Sequence, residues 1–260
     1  MDLNLEDKVA IVTGGSRGLG RAVCLALAAE GARVAIHYYR NVEKGHDFVH
    51  EANEAAREIE TRYGRGSLCV GGDMTSEADI KDIFRRTLEE FGKIDILVNN
   101  VGIWPTSYVK DMSEEEWSMT LRVNLTGSFI ACREMVNYLL SAGRPGRIVN
   151  VTSQAAFHGS TSGHAHYAAS KGGLVTFSVS LAREVAPNGI AVNAVAPGMM
   201  ATHMVTEAME ERADEYLARI PMGRIGDPAE VANVIVFLAS EKASYMTGAT
   251  VDVTGGMLMR

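Results

Sequence analysis

Along the chain, short runs dense in β-branched residues alternate with longer segments in which apolar residues recur every three to four positions. VAIVT (9–13), RVAIHY (33–38), SLCVG (67–71), IDILVNN (94–100), RIVNVTS (147–153), IAVNAVAP (190–197) and ATVDVTGG (249–256) read as buried strands. Between them, residues 18–30, 43–62, 76–91, 114–142, 166–186 and 228–239 are amphipathic over enough residues for a helix. Such alternation predicts an α/β fold, a doubly wound parallel sheet with helices on both faces. No linker or low-complexity run interrupts it, so residues 1–260 are expected to form one domain.

Residues 198–227 break the pattern, being rich in methionine and mixed charge without a clear strand period. In an open α/β sheet the ligand sits beyond the carboxyl ends of the strands, so this segment reads either as a lid or as an ordinary surface excursion.

Composition narrows the class. With 47% apolar and 22% charged residues, the chain has the mix of a folded globular protein rather than a disordered or fibrous one. A net charge of -7 argues against a general nucleic-acid or anionic-membrane binder. The first residues are acidic where a secretory signal needs bases, and no stretch approaches the ~20 apolar residues of a membrane span. Cys24, Cys69 and Cys132 form no CxxC pair and are odd in number, which favours neither a disulfide framework nor a thiolate zinc site. A reducing, cytoplasmic setting is expected.

Directly after the first strand comes GGSRGLGRAVCLALAAEG, a glycine-rich turn that runs into a helix. Gly14, Gly18 and Gly20 are spaced GxxxGxG rather than GxGxxG, but the physics is the same. Glycine lets the backbone approach a pyrophosphate, and the helix N-terminus offers free N–H groups to it. At the end of the second strand, where a carboxylate would bind the ribose hydroxyls of NAD, stand Tyr38 and Tyr39, with no acid before Glu43. Arg17 and Arg40 flank that point and could clamp a 2′-phosphate, so NADP(H) is preferred and NAD(H) possible. The bland reading leaves either arginine a solvated surface charge.

Tyr167 and Lys171 lie four residues apart in HYAASK, on one face if residues 166–186 are helical. A nearby ammonium favours phenolate and would lower the high pKa of a tyrosine. YxxxK alone is a common chance spacing, but Ser153 ends an upstream strand, where its hydroxyl can meet a carbonyl oxygen.

Taken in order, TGGSRGLG (13–20), Asp73, NNVG (99–102), Asn124, Ser153, YAASK (167–171) and PG (197–198) resemble the short-chain dehydrogenase/reductase family from about residue 5 onward. The resemblance implies a Rossmann-type sheet of seven parallel strands and a homotetramer or dimer. It implies Tyr167 as acid-base, Ser153 as the group polarising the carbonyl, Lys171 on the nicotinamide ribose and Asn124 on a proton-relay water. For the cofactor it implies Gly14, Ser16, Arg17, Gly18, Leu19 and Gly20 in the turn. Tyr38, Tyr39, Arg40, Asp73 and Met74 would lie on the adenosine side. Asn100, Val101 and Gly102 would line the ribose, and Pro197, Gly198, Met200 and Thr202 the nicotinamide, beside Tyr167 and Lys171.

Within the family the chain is most similar to 3-oxoacyl-acyl-carrier-protein reductases. It lacks the bases such enzymes tend to carry near Ile130 and Asn188. The implied reaction is therefore NADPH-dependent reduction of a ketone such as a 3-oxoacyl thioester. The alternatives are oxidation of a sugar, polyol, steroid or cyclic alcohol, or a catalytically silent cofactor-binding protein. Trp104, Phe157, His158, His164, His166, Met199, Met200, His203 and Met204 are candidate pocket residues for a small-molecule substrate. No carboxylate accompanies the three histidines of 158–166, so no metal is expected.

Overall fold

A computed structural model describes residues 2–41, 45–160, 163–201 and 217–260. Its strands are β1 (Val9–Val12), β2 (Arg33–Asn41), β3 (His46–Asp47), β4 (Ser67–Gly72), β5 (Ile96–Asn99), β6 (Gly146–Val151), β7 (Ile190–Pro197) and β8 (Thr250–Val253). The helices are α1 (Gly18–Ala29), α2 (Val49–Tyr63), α3 (Glu77–Phe91), α4 (Glu114–Leu121), α5 (Gly127–Ala142), α6 (Ala155–His158), α7 (Ala165–Val185) and α8 (Pro228–Ala239).

Seven strands run parallel in the order β4-β2-β1-β5-β6-β7-β8. The sheet has an eighth member that the sequence pattern did not predict. In β3, His46 and Asp47 pair antiparallel with Asn41 and Arg40, and β2 extends past residue 38 to meet them. Two residues carry no readable period, which is why alternation missed the strand.

Both faces of the sheet are covered, so the strand residues are apolar without alternation: β1 and β5 are buried throughout. One core packs α1, α2 and α8 against one face, through Val23, Leu27, Ile59 and Ile235. The other packs α3, α5 and α7 through Ile83, Met135, Leu139 and Leu181. Three helix starts are marked by side-chain caps. Ser76 accepts from Asp79 N at 3.3 Å, and Ser113 with Glu116 and Asp227 with Glu230 form capping boxes.

The predicted helix over 114–142 is two helices joined by a π turn at Arg122–Thr126, which contains Asn124. An extra residue in a helical turn re-aims a side chain and is a frequent mark of a functional site. No helix among the described residues is long and apolar enough to cross a membrane.

Candidate active site

The chain leaves β1 toward one side of the sheet and returns at β5 on the other, so the crevice beyond these two carboxyl ends is the switch point of the fold. Thr13 and Asn100 latch it. Asn100 Nδ2 donates to the Thr13 carbonyl at 3.0 Å and the Gly14 carbonyl at 3.2 Å, and Thr13 Oγ1 accepts from Asn100 N at 2.9 Å. Gly14 sits at φ 65°, a left-handed conformation that favours glycine. A Cβ on Gly20 would collide with the Gly14 carbonyl oxygen, so Gly20 supports the turn from beneath. No side chain caps α1, so its first N–H groups are left for a ligand.

A cavity of about 730 Å³ spans the crevice, and Gly14, Ser16, Arg17, Gly18 and Leu19 form one end of it. The β2 residues divide by the period of two expected of a strand. His37 and Tyr39 line the cavity, while Tyr38 lies on the opposite side with its ring over Gly71. Arg17 reaches the wall with its guanidinium 4.4 Å from the Phe48 ring centroid. Arg40 does not: its Nε lies 3.6 Å from Asp47 Oδ2, and it is absent from the lining. Asp73, Met74, Asn100, Val101 and Gly102 continue the wall toward Pro197, Gly198 and Met200. Thr202, His203 and Met204 lie outside the described residues.

Ser153, just past β6, and Tyr167 and Lys171, on α7, meet at the far end of the cavity. Burial pushes the Tyr167 phenol above its usual value, and the Ser153 hydroxyl opposes the rise. Lys171 Nζ lies 6.0 Å from the Tyr167 ring centroid and donates to the Val151 carbonyl at 2.9 Å. Burial pulls its ammonium down to about 8. The sequence expectation that Lys171 depresses the tyrosine is thus not the dominant balance here; desolvation of each group is.

Asn124 is fully buried and holds Ile103 by both backbone groups, Oδ1 accepting at 2.8 Å and Nδ2 donating at 3.0 Å, with Ser170 Oγ at 3.1 Å. This fixes the Gly102–Trp104 wall of the cavity.

Of the expected pocket residues, Trp104, His158, Met199 and Met200 line the cavity. His164 stacks on Trp104 at 4.3 Å and its Nδ1–H donates to the Pro105 carbonyl at 2.8 Å, and His166 is buried with neither ring nitrogen partnered. Phe157 lies under the Arg260 guanidinium at 3.6 Å. Among the described residues no three His, Cys, Asp or Glu side chains are grouped to hold a metal ion. Sequence reasoning passed over His37, Phe48, Gln154, Arg219 and Met257, all in the lining. For His37 the signal was there, since it shares a strand face with Tyr39.

A glycine turn and open helix end at the switch point, with buried Ser153 and Lys171 and half-buried Tyr167 one strand further on, mark an oxidoreductase that works on alcohol and carbonyl groups with a nicotinamide cofactor. Comparison with known proteins carries this to the family. A short-chain dehydrogenase model described as enoyl-(acyl carrier protein) reductase matches residues 14–258. The chain is 40% identical over 257 residues to the 3-oxoacyl-acyl-carrier-protein reductase FabG of Aquifex aeolicus, covering 99% of this chain and 100% of that one. To the FabG of Escherichia coli K12 it is 39% identical, with the same coverage. A solved short-chain type dehydrogenase/reductase from Mycobacterium marinum superposes with a TM-score of 0.92 at 31% identity, covering 100% of this chain and 98% of that one. The structure of gox2181 superposes with 0.91 at 36%, covering 98% and 97%. The chain belongs to the short-chain dehydrogenase/reductase family.

Proposed function

We propose that the protein is an NADPH-dependent carbonyl reductase that takes a ketone such as a 3-oxoacyl thioester. The observation that carries this is that the hydroxyls of Ser153 and Tyr167 and the ammonium of Lys171 line one cavity with a bare helix N-terminus and its glycine turn. The cradle fits a dinucleotide: glycine backbone and free N–H groups suit a pyrophosphate, and the volume lies within the range of small-molecule and cofactor sites. Bound there, the nicotinamide supplies the hydride. The chain does the rest. Ser153 donates to the carbonyl oxygen, and Tyr167, protonated at neutral pH as any phenol is, hands that oxygen its proton as charge develops. Lys171 places a cation within the same buried end of the cavity. Two donors converging on one oxygen suit C=O reduction, and the same atoms serve the reverse oxidation.

NADPH over NADH is supported by Arg17 on the cavity wall, while no carboxylate of β2 or β3 lines it among the described residues. A second reading, a small sugar or cyclic alcohol as substrate, is favoured by the apolar, buried Ile130 and the neutral Asn188 where an acidic carrier would need bases. Self-association into a dimer or tetramer is supported by the exposed Trp117, Phe129 and Leu140 on α4 and α5. A cytoplasmic setting accords with three free cysteines.

The test is the rate of NADPH oxidation with acetoacetyl-CoA, beside NADP reduction with sugars, polyols and cyclic alcohols. Tyr167→Phe should cost about 10²–10⁴ in kcat while cofactor still binds. Near-wild-type turnover of the folded variant would remove the assignment.

A further inference from the structure

His37 is a titratable side chain in the middle of a parallel strand, only 1% exposed, and both its ring nitrogens are engaged. Gly14 N lies 3.0 Å from Nδ1, and the Gly72 carbonyl lies 3.1 Å from Nε2. The partners decide the tautomer. A backbone N–H can only donate, so Nδ1 accepts, and the ring proton sits on Nε2 and is given to Gly72. An imidazolium would turn a second N–H onto the Gly14 amide and break the arrangement. Burial holds the ring neutral, with its pKa near 4, although the carboxylates of Asp73 and Asp79 face it and pull the other way. The backbone adds a third tie, since Gly15 N donates to the His37 carbonyl at 2.7 Å.

Gly14 opens the glycine turn, and its carbonyl is already held by Asn100 from the β5 side. Gly72 ends β4 and precedes Asp73, on the opposite rim of the same cavity. We infer that His37 is a positioning residue of the cofactor site: its neutral imidazole pins the glycine turn to the end of β4, so that the phosphate cradle and the Asp73 rim are set relative to each other before a dinucleotide arrives. Without the imidazole, Asn100 still fixes the Gly14 carbonyl and the residue-37 carbonyl still accepts from Gly15 N, but the Gly14 N–H loses its acceptor and the turn gains a way to rotate. The cost falls on binding, because His37 stands at the opposite end of the cavity from Ser153 and Tyr167. The inference rests on the cavity being a dinucleotide site, and its test separates the two.

His37→Leu keeps most of the volume and removes both hydrogen bonds. Two measurements are made on the full-length protein: hydrogen exchange of the amides from Gly14 to Gly18 without cofactor, and the Kd for NADPH. The variant is expected to exchange the turn faster and to raise Kd about tenfold, with kcat at saturating NADPH within about twofold. His37→Asn, whose Oδ1 takes the place of Nδ1, should recover most of the affinity. His37→Gln, whose amide reaches toward Gly72 instead, should not, and this polar pair decides the matter even if the leucine variant fails to fold. Unchanged exchange with Kd within twofold in His37→Leu, or equal affinity in the Asn and Gln variants, would overturn the inference. A wild-type protein that bound neither NADPH nor NADH would sink the dinucleotide reading, while the exchange data would still report whether His37 holds the turn.

Discussion

Replacing Lys171 by methionine should abolish turnover and leave the protein more stable. Lys171 is 3% exposed, and burial pulls its ammonium from the ordinary 10.5 to about 8. Below pH 8 the lysine is charged in both the folded and the unfolded chain, and the folded state carries the whole desolvation penalty. A depression of that size corresponds to about 3 kcal/mol at 1.36 kcal/mol per pH unit. Between pH 8 and 10.5 the unfolded chain binds the proton and the folded one does not, so stability climbs with pH, and above that window the penalty is gone. Methionine matches the chain length without the charge, but it leaves the Val151 carbonyl without the 2.9 Å bond from Nζ, which takes back about 1 kcal/mol. The net gain at pH 7 is about 1–3 kcal/mol, each worth about 2–4 °C in Tm for a chain of this size. Urea denaturation of wild type and Lys171→Met, cofactor-free, at pH 7 and pH 10.5 gives both numbers. The advantage of the variant should shrink toward the higher pH. A variant less stable than wild type at pH 7, or an advantage independent of pH, would refute the reasoning.

Arg17→Ala should lower the ratio of NADPH to NADH in kcat/KM about tenfold, because a charge-assisted contact to the 2′-phosphate is lost; an unchanged ratio moves that role elsewhere. Asn124→Ala removes three side-chain hydrogen bonds, one buried and two part-buried, and should destabilise by about 2–4 kcal/mol in urea, with turnover falling as the Ile103 wall loosens. Cys132, its thiol pushed up to about 12, and Cys24, pushed higher still, should resist iodoacetamide at pH 8 until denaturant is added, as peptide mapping would show.

The fold was legible because parallel strands covered on both faces are written as unbroken apolar runs, and because caps such as Ser113 with Glu116 mark where helices begin. That Tyr167 and Lys171 would come together was legible because they are spaced by a helical turn, and helix geometry turns spacing into proximity. What stayed hidden depends on which way a strand residue faces or on a partner distant in the chain. Tyr38 stood as a cofactor residue until the strand period turned it over Gly71, and Arg40 until Asp47, in an unreadable two-residue strand, drew it aside. His37 acts through Gly14 and Gly72, separated from it by 23 and 35 positions, and no local pattern records that.

The two halves of the site are held by different means, and this bears on how the substrate can be changed. The end proposed for the cofactor is built from backbone: the turn at Gly14, the bare end of α1, and the latches from Asn100 and His37 into main-chain atoms. Altering it perturbs packing next to the sheet, since Gly20 has no room for a side chain and Gly14 sits at a left-handed φ of 65°. The substrate end is built from side chains on connections beyond the strands, Trp104 after β5, Gln154 and His158 after β6, Met199 after β7 and Met257 after β8. Of these, Gln154 and Met257 touch each other at 3.2 Å and Trp104 leans on His164, but none supports the core. Substitutions there change the shape offered to a carbonyl while the backbone cradle, and with it the affinity for the dinucleotide, stays as it is.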